Sequence, residues 1–249
     1  MRYGTELTAT EKDFLPAFIS MFANPAIPLK KGNSYYIMTD YKITAQNLTK
    51  IFGRRLVFDK LNFEFISGNV YGISGPNGSG KSTLVKIIAN IISPTKGKII
   101  FSNGNSAVKP EDLHNHLGFV SPYLYLYDEF TAEENLRHFS SIRGIKYDEA
   151  RAFDLLKRVN LFDRKDDLVK GYSSGMKQRM KFIFALLHEP PVVILDEPTS
   201  NLDVAGKDTV YDLVKSASAK SLVIIASNET SDLELCGEII NVENFKNKS

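Results

Sequence analysis

Residues 75–83 read G-P-N-G-S-G-K-S-T, between a short apolar run, 69–74, and a stretch of helical character, 81–91. They fit G-x-x-x-x-G-K-[ST]: Gly75, Gly80, Lys81 and Ser82 hold the fixed positions, with Pro76, Asn77, Gly78 and Ser79 between and Thr83 following. A strand before and a helix after give the pattern its meaning. Glycines let the backbone curl so that successive N–H groups point inward at phosphate oxygens. A helix starting near Gly80 adds the positive end of its dipole. Lys81 then reaches β- and γ-phosphates, and the Ser82 hydroxyl is offered to Mg²⁺.

Such a site needs a carboxylate for the metal. Residues 192–197 read V-V-I-L-D-E, four apolar residues of a buried strand with Asp196 at its tip. Asp196 suits the Mg²⁺ shell. Glu197, next along the strand, points the other way and is placed to accept a proton from an attacking water.

The rest of the chain has the same texture. Alternation marks strands at 41–48 and 61–65, and short apolar runs mark others at 98–101, 117–121, 192–196 and 222–227. Helical patterns cover 148–160, 176–188 and 204–217, and Thr131-x-x-Glu134 is a capping box opening another. Strands alternating with helices predict an α/β fold, a mostly parallel sheet covered on both faces. Residues 128–171 lack strand signals and read as an inserted helical lobe.

A hydrophobic content of 43% and charged content of 24% support a buried core, and a net charge of +2 gives no general affinity for nucleic acid. The single cysteine, Cys236, allows no intrachain disulfide. No apolar run approaches the roughly 20 residues of a membrane-spanning helix, so work at a membrane would go through a partner. Residues 14–23, F-L-P-A-F-I-S-M-F-A, resemble a signal-peptide core. However, Pro16 interrupts them, and Glu6, Glu11 and Asp13 precede them where such a segment carries positive charge. A short amphipathic helix capped by Asp13 fits better, packing on the body or docking a partner. The linker-like N-P-A-I-P-L-K-K-G-N follows. Residues 1–37 thus read as an extension and linker, and 38–249 as the working domain, with Met38 an alternative natural start.

Together with Y-S-S-G-M-K-Q-R at 172–179, these motifs resemble the ATP-binding cassette (ABC) ATPases over roughly residues 41–242. The octapeptide corresponds to the signature L-S-G-G-Q-x-Q-R: Ser173 and Gly175 are kept, Ser174 replaces a glycine and Met176 the glutamine. The resemblance implies a P-loop NTPase-type fold with an antiparallel β edge and a helical lobe at about 128–175. It also implies ATP and Mg²⁺ as ligands, and a head-to-tail pair of cassettes in which Ser173–Met176 act on the partner's ATP. S-N-L-D at 200–203 matches the D-loop at that interface, with Asp203 last, and Phe52 in K-I-F-G matches the aromatic that stacks on adenine.

Two positions depart from the family pattern. Aligning L-G-F-V-S-P with I-G-Y-V-S-Q puts Pro122 where a glutamine normally reaches the metal and links the site to the lobe. Proline offers no side-chain donor or acceptor and no N–H. After the last core strand the family reads I-I-A-T-H-[DE]; here I-I-A-S-N-E puts Asn228 in place of a histidine that contacts the γ-phosphate. Asparagine keeps an N–H donor but cannot carry positive charge, which implies a slowed ATPase or, as the rival reading, a nucleotide switch that scarcely turns over.

The resemblance further implies a separate transmembrane permease and a second ABC ATPase copy, in a homodimer or a heterodimer. The location would be cytoplasmic, peripheral on the inner face of the cell membrane. The signature's form hints at an exporter; a soluble ABC ATPase, for example of iron–sulfur assembly type, is the alternative. Tyr123, Tyr125 and Tyr127 would line the permease groove or edge the core. His114 and His116 read as a solvated loop, and Lys177, Arg179 and Lys181 as one solvated helix face.

Overall fold

The structure, a computed structural model, describes residues 40–246; the helix and linker expected before residue 38 lie outside them. The chain opens with two antiparallel twelve-residue strands, β1 (Tyr41–Phe52) and β2 (Arg55–Ile66). Tyr41, Ile43 and Ala45 on one and Leu61, Phe63 and Phe65 on the other alternate into the core. Both run longer than their alternation suggests. Register shifts in β1, around Asn47 with its left-handed φ of 50°, break the period-two pattern without ending the pairing.

Next come β3 (Val70–Ser74) and, after the glycine-rich loop, α1 (Lys81–Ile88). Asn90, at φ 58°, stops the helix short of the expected 91. β4 (Lys96–Asn103) pairs with the free side of β1, and β5 (Ser106–Ala107) returns along it, completing a four-stranded antiparallel sheet in the order β2-β1-β4-β5. The short helix α2 (Leu113–His116) leads into β6 (Leu117–Val120).

The lobe follows. Helix α3 (Ala132–Ile142) starts at the capping box, with Thr131 Oγ1 and Glu134 satisfying each other's backbone N–H groups, and α4 (Glu149–Arg158) is capped by Asp148. Among the described residues, 128–171 hold no strand, only an isolated bridge between Thr131 and Leu168. Helix α5 (Ser174–Leu186) returns to the body. Then β7 (Val192–Asp196), α6 (Val204–Ser218), β8 (Leu222–Ala226), α7 (Thr230–Leu233) and β9 (Glu238–Asn241) complete a parallel sheet ordered β6-β7-β8-β3-β9. Every residue of β7 and β8 is buried. At about 1.5–3 kcal/mol per fully buried aliphatic side chain, these two runs anchor the fold.

The edge strand β9 had no sequence signal, since only Ile239 and Ile240 are apolar in it. It docks on β3 because Gly72 has no side chain. A Cβ there would lie 3.0 Å from Ile239 Cγ1 and 3.2 Å from Cys236 Sγ. Among the described residues no helix is long and apolar enough to cross a membrane.

Two expectations need correction. His114 is buried on α2, its Nδ1 2.7 Å from Glu111 O, and His116 bonds the Tyr41 hydroxyl; this is packed interior, not a solvated loop. The described residues contain no His/Cys/Asp/Glu group fit to hold a metal ion through it. Nor do the cations of α5 form a solvated face. Lys177 pairs with Asp128 at 2.7 Å, Arg179 Nε donates to Val159 O at 3.0 Å, and Lys181 reaches two carbonyls after β6. Because α5 packs between lobe and sheet, its polar side meets connecting segments as well as water, and all three cations are half-buried.

Candidate functional site

The parallel strands β3, β7 and β8 end side by side, and their C-terminal tips carry Gly75, Asp196 and Asn228. Ligands in open α/β sheets sit beyond such tips. The loop over them is shaped by three glycines at φ 144°, 77° and 113°: Gly75, Gly78 and Gly80. A Cβ on Gly80 would fall 2.4 Å from Val57 Cγ1, so close approach as well as backbone freedom excludes a side chain there. No side chain caps the N-terminus of α1. Its first N–H groups are left for an anion.

A hydroxyl–carboxylate hydrogen bond and an ion pair occupy the floor. Ser82 Oγ donates to Asp196 Oδ1 at 3.0 Å. Lys81 Nζ donates to Gly75 O at 2.9 Å and stands 3.3 Å from Glu197 Oε1. Strand alternation alone would send Glu197 away from Asp196. The left-handed backbone at Glu197, φ 49°, instead turns it onto Lys81, so the adjacent acids meet the adjacent residues Lys81 and Ser82. Asp196 is fully buried, and burial pushes its carboxyl up to about 6 against the lowering effect of the Ser82 hydrogen bond. Its second oxygen, Oδ2, is buried without a hydrogen-bond partner. A buried carboxylate oxygen without a donor, beside a serine hydroxyl, is an oxygen-only donor set suited to Mg²⁺.

Asn228 Nδ2 donates to Asn77 Oδ1 at 3.2 Å, laying the β8 tip against the loop. Phe52 is half exposed at the cleft's outer wall, with Lys50 Nζ 4.5 Å from its ring centroid. Thr83, Pro122 and Tyr123 line the same cleft.

Ser173, Ser174, Gly175 and Met176 do not line it. Ser173 caps α5, accepting from Met176 N at 3.2 Å, and Gly175 lies beside Asn201 and Leu202 of the S-N-L-D segment. Asp203 caps α6 through Gly206 N at 2.8 Å. The candidate residues therefore fall into two groups: a loop-centred cleft, and an exposed helix start beside the D-loop segment.

Sequence reasoning missed three supporting residues. Asp232, buried on α7, accepts from Thr199 Oγ1 (2.8 Å), Ser227 Oγ (2.7 Å) and Tyr211 OH (3.0 Å). It thus ties the chain after Glu197 to the β8 tip. Gln178 Nε2 donates to Pro198 O at 2.9 Å from within α5. Arg55 Nη2 reaches Gly78 O at 3.1 Å. Only Arg55, two residues after Gly53 in a basic turn, carried any local signal.

A phosphate-loop parallel sheet with an antiparallel sheet beside it and a helical insertion is the architecture of an ATP-binding cassette. A model of the ABC transporter family matches residues 58–200, and the chain belongs to that family. It is 33% identical over 196 residues to the lantibiotic transport ATP-binding protein SrtF of Streptococcus pyogenes, covering 78% of this chain and 83% of that one. Its fold matches a putative ABC transporter ATP-binding protein from Pyrococcus furiosus with TM-score 0.72, at 26% identity, over 82% of this chain and 99% of that one. It also matches the dimeric structure of the bacterial ABC transporter cassette MJ0796 with TM-score 0.70, at 25% identity, over 80% and 93% of the two chains. Members of the family bind ATP, normally with Mg²⁺.

Proposed function

We propose that this chain is the ATP-hydrolysing subunit of an exporter, closing head to tail with a second cassette, identical or homologous, around ATP and driving a separate membrane permease from the cytoplasmic face. The observation that carries the reading is the pair Ser82–Asp196 and Lys81–Glu197, with Asp196 Oδ2 lacking a partner.

ATP would lay its phosphates along loop 75–83, with Phe52 against the adenine. Ser82 and Asp196 would hold Mg²⁺, which when bound neutralises charge on the phosphate oxygens. Lys81 Nζ lies beside Glu197 Oε1 and Gly75 O. The phosphates compete for that ammonium, and Glu197 is released to take a proton from water. The water oxygen bonds to the γ-phosphorus as the bond to the bridging oxygen breaks, leaving ADP and inorganic phosphate. Asn228 supplies one neutral donor near the γ-phosphate. Complete loss of such a donor costs about 10²–10³ in rate, so a weaker donor slows turnover by less.

Ser173–Met176 and Asp203 belong, in this reading, to the partner's site, consistent with their absence from the cleft. Tyr125 and Tyr127, both exposed, suit the permease contact. The transport role of the lantibiotic relative supports the transporter reading, and the form of the signature 172–179 is what points to export.

Association tests the pairing. With Glu197→Gln to preserve ATP, Mg-ATP should convert the chain from monomer to dimer in sedimentation, and Ser173→Arg should prevent it. Monomer at saturating Mg-ATP would refute closure with an identical copy, leaving a homologous cassette as the partner to be tested by mixing.

A further inference from the structure

Two carbonyls just after β6 are held by one side chain from a different element. Lys181 Nζ, on α5, donates to Ser121 O at 3.2 Å and to Pro122 O at 3.0 Å. These carbonyls begin the segment joining the sheet to the lobe. Its near end faces the nucleotide cleft through Pro122 and Tyr123. Its far end is fastened to α3, where Asn135 accepts from Tyr127 N and donates to Tyr127 O, both at 2.9 Å. Between them, Tyr123 N bonds Ser121 Oγ at 3.2 Å, Leu124 N bonds Ser121 O at 3.1 Å, and Lys86 Nζ lies 4.4 Å from the Tyr123 ring centroid.

Pro122 has no polar side-chain atom with which to fix this segment. Lys181 does so from α5, the helix capped by Ser173, about 12 Å along the axis from that cap. We propose that Lys181 is a positioning residue that couples the two candidate anion sites. By tying the Ser121 and Pro122 carbonyls to α5, it makes the wall of this chain's own cleft move together with the Ser173–Gly175 helix start offered to the partner. The proposal rests on the nucleotide reading above.

The side chain is half-buried, and burial pulls its ammonium down to about 8. Charged or neutral, the amine keeps N–H donors for both carbonyls, so the tie survives on either side of that value.

Amide hydrogen exchange tests this without needing turnover. The full chain carries Glu197→Gln, and peptides covering 75–83 and 119–127 are followed with and without Mg-ATP. In this parent, ATP should slow exchange in both peptides, by about tenfold. With Lys181→Met added, 75–83 should remain protected while the ATP effect on 119–127 falls below about twofold, and Lys181→Arg should restore it. Should Lys181→Met fail to fold, judged by its melting curve, Lys181→Leu, which likewise has no donor, replaces it and is read the same way. Equal protection of 119–127 in parent and Lys181→Met would overturn the coupling role. No protection of 75–83 in the parent would instead refute the nucleotide site, and the coupling with it.

Discussion

Lys81 Nζ stands 3.3 Å from Glu197 Oε1, and both side chains belong to the same cleft. The proposed phosphate ligand and the proposed base thus lie within ion-pair distance of each other. Lys81→Met should weaken ATP binding about 10- to 100-fold, matching the roughly 1.5–3 kcal/mol of a hydrogen bond to a charged group. Titration with a fluorescent ATP analogue measures it. Unchanged affinity would remove Lys81 from the phosphate site.

Asp196 is buried with a single hydrogen-bond donor, from Ser82. Asp196→Asn removes a charge that is costly to bury alone. In the absence of metal the variant should melt about 2–4 °C higher, the shift expected for about 1 kcal/mol in a chain of this size. Its ATP affinity should no longer rise on adding Mg²⁺. A lower melting point together with intact Mg²⁺ dependence would contradict the assignment.

Asp232 holds Thr199, Ser227 and Tyr211 together behind the site. Asp232→Ala leaves three donors without their acceptor, and should destabilise the chain by about 2–4 kcal/mol in urea unfolding. Asp232→Asn, which keeps an acceptor, should cost less. A change within about 0.5 kcal/mol for the alanine variant would show the network to be incidental.

These residues also mark what the sequence could carry. That the loop at 75–83 and the acids at 196–197 meet at one place was legible because the two motifs set residue types at fixed spacing. The strands V-V-I-L and L-V-I-I-A were legible because burial on both faces demands unbroken apolar runs. Asp232, β9 and the packed histidines were not. Asp232 meets Thr199 thirty-three residues away in sequence, and β9 depends on Gly72, far upstream. The turn of Glu197 onto Lys81 escaped as well, because period-two alternation does not foresee a left-handed residue at a strand end.

His188 supplies a pH dependence. Its Nε2 contacts Leu117 O at 3.1 Å and Arg143 Nη2 at 3.0 Å, while its Nδ1 is buried without a partner. Burial first, then the Arg143 charge, hold its pKa well below 6.5 in the folded chain. The unfolded chain therefore binds the proton more readily. The His188 contribution to stability is full above about pH 6.5 and declines as pH falls below it, by up to about 1.4 kcal/mol per pH unit. Urea midpoints from pH 7.5 to 5.5 should fall accordingly, and His188→Gln should flatten the profile. An identical slope in the variant would place the acid sensitivity elsewhere.

ATP hydrolysis by Glu197, attenuated at Asn228, is the step on which the proposed function turns. Steady-state Mg-ATP turnover of the purified chain, with Glu197→Gln as the blank and Asn228→His alongside, tests it most directly. Turnover above the blank, raised several-fold by Asn228→His, is the predicted result. Turnover equal to the blank in both the unsubstituted chain and Asn228→His, with ATP bound, would contradict it.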